Sequence, residues 1–69
     1  MTESFLVKID VAQLQQNLTA AGDPVTEAET VEFLLESGFV RHSDPGWWRC
    51  EPIQFDGLDR SEILAWKRA

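Results

Sequence analysis

The run from Thr26 to Glu51 constrains this chain most, because it carries a helix start, a helix stop and a chain reversal in one unbroken stretch. Thr26 precedes Glu29 by three residues, the reciprocal pattern that satisfies two orphan amide donors at a helix N-terminus. Ala28, Val31, Leu34 and Leu35 recur at helical spacing and predict an apolar arc on a helix from about Glu27 to Ser37. Gly38 predicts its end, since glycine enters the left-handed backbone region at no steric cost. Phe39 to His42 and Trp47 to Cys50 then flank Ser43-Asp44-Pro45-Gly46, with proline and glycine where a reversal favours them. A β-hairpin is the expected product.

Side chains alternate between the two faces of a strand, so the adjacent Trp47 and Trp48 point in opposite directions. A four-residue loop pairs Phe39 with Cys50 and Arg41 with Trp48 on one face, and Val40 with Arg49 and His42 with Trp47 on the other. A three-residue loop would set Arg41 opposite Arg49, a repulsive like-charge pair. The four-residue loop is therefore expected.

Before this unit, Ser4 to Ile9 reads as a short strand in which Phe5, Val7 and Ile9 alternate with Leu6 and Lys8. Asp10 and Gln13 form a second capping pattern, and Val11, Leu14, Leu18 and Ala21 make one stripe of a helix that ends at Gly22. Gln13, Gln15, Gln16 and Asn17 lie opposite. After the hairpin, Pro52 to Gly57 reads as a connector anchored by Ile53 and Phe55. Asp59 with Glu62 predicts a final short helix on which Ile63 and Trp66 share a face. The expected architecture is α+β in the order β-α-α-β-β-α, one small domain over residues 1–69.

A chain of 69 residues buries only about 60% of the surface its unfolded form exposes, so its large apolar residues must nearly all contribute to the core. Dimerisation, which would add buried surface, is compatible with that size. Cys50 is the single cysteine, which excludes an internal disulfide and a cysteine-rich metal site. No apolar run approaches the roughly 20 residues that span a bilayer. The first residues lack the basic start and apolar run of a signal peptide. A cytoplasmic location is expected, with no membrane partner.

The net charge of −6 is unevenly placed. Up to Gly38 the chain carries seven acids against Lys8 alone, whereas acids and bases balance from Phe39 onward. An acidic front half disfavours nucleic acid, whose affinity rests on Lys and Arg neutralising phosphates.

Catalysis needs converging groups. His42 and Cys50 are the one candidate base and nucleophile, but they sit on opposing strands, on opposite faces in the expected register. A solvent-side histidine and a buried, inert cysteine is the simpler reading. One histidine and one cysteine cannot close a zinc site, and the carboxylates Glu29, Glu32 and Glu36 lack a calcium loop. No phosphate-binding glycine loop is present. Neither an enzyme nor a cofactor or metal is expected.

Ile9 to Leu18 resembles the first helix of a helix-turn-helix pair, Ala28 to Arg41 is similar to a recognition helix and its following strand, and Asp44 to Pro52 resembles a wing tip and its returning strand. Together these resemble the winged helix-turn-helix family, with a strand in place of the usual first helix. The resemblance implies a winged-helix-like fold, closed by the final short helix, and a DNA-binding regulator. Against DNA, the helix matching the recognition helix carries Glu27, Glu29, Glu32 and Glu36 and no Lys or Arg. The expected function is therefore a non-catalytic protein-interaction module, either a regulatory adaptor or a small inhibitor of the phage-encoded kind. Trp47, Arg41 and Arg49, with His42 nearby, form one expected partner-binding patch, since tryptophan and arginine are enriched at binding hot spots. Phe33 lies outside the apolar arc beside Glu29, Glu32 and Glu36. It either packs beneath another element or anchors a second patch that meets a basic protein.

Overall fold

The strand expected near the N-terminus forms and takes an interior place in the sheet. In the computed structural model, which describes residues 3–69, the order is β1 (Phe5–Ile9), α1 (Val11–Ala20), α2 (Glu27–Glu36), β2 (Val40–Arg41), β3 (Trp47–Cys50), α3 (Pro52–Asp56), a 3₁₀ turn (Arg60–Glu62) and β4 (Ile63–Arg68). Among these residues the chain is a mixed α+β fold of three helices and one antiparallel four-stranded sheet, ordered β2-β3-β1-β4. Val7, Ile9, Trp48 and Cys50 on one face of the sheet pack with Leu14 of α1, Leu34 of α2 and Phe39. Full burial of such side chains stabilises by about 1.5–3 kcal/mol each.

Helix starts follow the capping patterns, with one change. At α2 both halves of the box are made: Glu29 N–H donates to Thr26 Oγ1 (3.1 Å) and Thr26 N–H to Glu29 Oε1 (3.0 Å). At α1 only the first half forms, Gln13 N–H donating to Asp10 Oδ1 (3.1 Å). The Gln13 amide turns instead to Asn17, and the Asp10 N–H donates to the Glu62 carbonyl (2.8 Å).

The buried arc of α2 is rotated from the expected one. Leu34 and Thr30 are buried, whereas Ala28 and Leu35 are exposed. Thr30 can face the core because its hydroxyl donates to the Thr26 carbonyl one turn back (2.8 Å), so no polar group is stranded. Helix α2 ends at Gly38 (φ +99), with Phe39 N–H bonded to Leu34 O and Gly38 N–H to Leu35 O. This pair of bonds is the Schellman closure, and it turns the chain directly into β2.

The hairpin has the expected four-residue register: Val40 pairs with Arg49 and Arg41 with Trp48. The His42 N–H donates to the Trp47 carbonyl (3.1 Å). Trp48 faces the core and Trp47 the other side.

The expected last helix is corrected to a strand. Asp59 does cap, accepting from Ser61 N–H (2.9 Å), while Glu62 Oε1 accepts from Asp59 N–H (3.0 Å). The helix then closes after one 3₁₀ turn, and Ile63–Arg68 runs antiparallel along β1. β1 has one edge on β3, and its other edge would leave backbone donors and acceptors open; β4 fills it. Trp66 meanwhile packs on Phe5 (5.8 Å between ring centroids) and Phe55 (5.2 Å). The expected connector is instead the short helix α3. Its Phe55 stacks on Phe5 at 4.9 Å, but its Ile53 stays exposed.

Candidate interaction surfaces

Helix α2 presents Glu29, Glu32, Phe33 and Glu36 together, since residues three and four apart are neighbours on a helix surface. All four are exposed, Phe33 at 46%. Glu29 has a second duty, because its carboxylate holds the Thr26 cap. Phe33 is not tucked beneath another element. With Leu14, Leu18, Phe39 and Leu58 it lines a groove of about 300 Å³.

The ribbon patch expected from Trp47, Arg41 and Arg49 is divided by the pleat. Arg41 shares the core-side face with Trp48 and lies over its indole, 5.3 Å from guanidinium carbon to ring centroid. Trp47 and Arg49 face the opposite way. His42 is engaged in the turn, its Nδ1 accepting from Asp44 N–H at 3.3 Å. Arg41 therefore lies over Trp48, although Arg41, His42 and Trp47 still border one cleft of about 280 Å³ with Val11, Glu27 and Val31.

The outer side of the sheet is where Trp47 and Arg49 find company. The pairings Lys8–Trp47, Leu6–Arg49, Leu6–Lys67 and Lys8–Ala65 put these six residues on one face, with Val40 beyond Arg49. Lys67 Nζ reaches across β1 to within 5.3 Å of the Trp47 ring centroid, a cation–π contact. None of these side chains belongs to the core cluster, and Val40 and Ala65 among them are exposed. Lys8, Arg49 and Lys67 are exposed. Among the described residues the oppositely charged contacts are Arg68–Glu3 and His42–Asp44, so these three cations have no carboxylate partner. The sequence groups neither Lys8 nor Lys67 with Trp47, although Lys67 and Arg68 stand out in it as basic residues near the C-terminus. The alternation in β1 already grouped Lys8 with Leu6, but Lys67 was hidden by the helical reading of the segment that became β4.

Among the described residues, His42 and Cys50 are held apart by the ribbon register. Cys50 is buried beside β1, and burial pushes its thiol above the ordinary value. His42 sits at the turn, its Nδ1 accepting from Asp44 N–H. Asp59 is held below the ordinary carboxylate range by the backbone N–H and then the hydroxyl of Ser61, a capping role. Glu62 is buried but satisfied, accepting from Asn17 Nδ2 (2.7 Å) and from Asp59 N–H. Among the described residues no three His, Cys, Asp or Glu side chains cluster to hold a metal ion. Among them, too, no helix is long and apolar enough to cross a membrane.

Comparison of the chain with protein-family models, curated proteins and solved structures finds no match in any of the three.

Proposed function

We propose that this chain is a non-catalytic protein-interaction module whose α2 surface receives a basic partner. The observation that carries the reading is Phe33, a large apolar ring left 46% exposed beside an apolar groove and within a row of glutamates. Exposed rings of this kind beside a pocket supply the anchor in protein interfaces, while surrounding charges set orientation and encounter rate. The partner contributes an apolar side chain to the groove and Lys or Arg to Glu32 and Glu36. Whether it acts as an adaptor or as an inhibitor follows from what the partner does. A winged-helix-like ancestry is supported by the α1–α2 pair running straight into a two-stranded ribbon, and a cytoplasmic location by the free thiol of Cys50.

The test is site-specific photo-crosslinking from position 33 in extracts of the native host, with Gln16 of α1 as the control position. A discrete adduct from position 33 that disappears in a Glu32→Gln/Glu36→Gln background supports the reading. Identical adducts from both positions overturn it.

A second reading, a winged-helix DNA-binding regulator acting through the ribbon or as a dimer, is favoured by one observation: Trp47 and Arg49 share the outer sheet face with Lys8 and Lys67. Opposing it, α2 would bring its exposed glutamates toward phosphates. Binding to duplex DNA at about 50 mM salt that falls steeply as salt rises would favour this alternative.

A further inference from the structure

The geometry points to a second docking surface: the uncovered face of the sheet, where Trp47 and Leu6 sit among Lys8, Arg49 and Lys67, binds a short acidic segment of another protein. This goes beyond the α2 surface and does not depend on it. The case rests on charge complementarity. The chain carries −6 overall, yet the strand residues of this face include three cations and no acid. Of the other three cations, Arg41 lies over Trp48 and Arg68 beside Glu3, while Arg60 stands apart in the 3₁₀ turn. Solvated cations alone would be ordinary. What distinguishes these is that they surround apolar surface, a half-buried indole and Leu6, which a partner's aliphatic side chain would remove from water.

Four strands spaced as in any sheet give a face about 15 Å across, enough for a short extended segment lying over it. An acidic polypeptide fits better than a single nucleic-acid strand. A polyphosphate carries its charge beyond the edges of the face, toward a molecule that is acidic elsewhere, whereas an acidic segment ends its charge where the cations end. With α2, the chain would then join two partners of opposite charge, which is the behaviour of an adaptor.

The experiment is a titration of isotopically labelled protein, followed by amide chemical shifts, with a peptide alternating glutamate and valine. A glutamine–valine peptide and an oligothymidine of equal charge are run in parallel. Saturable shifts confined to Leu6, Lys8, Trp47, Arg49 and Lys67, weakened by salt and absent with the glutamine peptide, are expected. Lys8→Gln/Arg49→Gln should lose roughly tenfold in affinity, the loss of two exposed ion pairs. Phe33→Ala should leave this binding unchanged, which separates it from the α2 surface. Shifts elsewhere, no shifts at low salt, equal binding of the neutral peptide, or tighter binding of oligothymidine on the same residues would each overturn the proposal. Because the substituted side chains are exposed, unchanged spectra of the remaining residues establish that the variants fold.

Discussion

Gly38 joins α2 to the ribbon, and replacing it with alanine perturbs two separable things. The first is the backbone. At φ +99 an L-residue with a Cβ costs about 1–2 kcal/mol relative to glycine. The second is space, because the new Cβ would collide with the side-chain amide of Gln54. Gln54 must swing away, breaking the bond from its Nε2 to Ser37 O (3.0 Å) and the bond its Oε1 accepts from Glu51 N–H (2.6 Å). Adding two partly exposed hydrogen bonds brings the total to about 2–4 kcal/mol. In a domain of this size that lowers the midpoint of thermal unfolding by about 15–30 °C. Circular dichroism of Gly38→Ala measures it, and Gln54→Ala supplies the second background. With Gln54 already truncated, Gly38→Ala should cost only the backbone part, about 1–2 kcal/mol. An equal drop in both backgrounds would show that Gln54 does not cover Gly38. No drop in either would show that the junction is not left-handed, and the reasoning would fail.

Trp48→Ala should cost about 3–5 kcal/mol, comparable with the whole stability of such a chain, while Trp47→Ala unfolds it far less; denaturant midpoints rank the two, and the reverse order would invert the assignment of faces. Asn17→Ala should cost about 1–3 kcal/mol, because it removes the amide that donates to the buried Glu62 carboxylate; a neutral change would mean that the carboxylate is solvated. The Asp59 carboxyl is depressed in the folded chain, so its contribution is complete above the ordinary value of 3.8 and disappears as pH falls through the folded value. The stability gap between the native chain and Asp59→Asn should therefore close on acidification, and a gap independent of pH would contradict the capping role. The Cys50 thiol is raised, so its protonated, buried state favours folding at neutral pH, and that contribution declines as pH climbs past 9.0. Alkylation at neutral pH should accordingly follow unfolding rather than thiol ionisation, and rapid alkylation of the folded chain would contradict burial.

Local signals were legible where local physics decides them. The α2 capping box, the Gly38 stop and the hairpin register all depend on residues close in sequence, and the like-charge clash of Arg41 with Arg49 was enough to choose the loop length. The opposite orientations of Arg41 and Trp47 were contained in the same alternation. The last segment depended on a distant partner. Asp59 and Glu62 make the bonds of a helix start, yet that signature says nothing about how many turns follow, and the unfilled edge of β1 decided for a strand. Thr30 was passed over because an apolar arc counts side chains by type, whereas this hydroxyl is satisfied within its own helix. The cationic sheet face could not be seen until Lys67 was placed beside Leu6.

The proposed sheet-face site depends on Ile63–Arg68 lying along β1, and cross-strand proton contacts in solution test that directly. Nuclear Overhauser contacts linking Leu6 with Lys67 and Lys8 with Ala65 are the expected result. Helical contacts between residues three and four apart over this segment, without any to β1, would remove Lys67 from the sheet and dissolve the basic face.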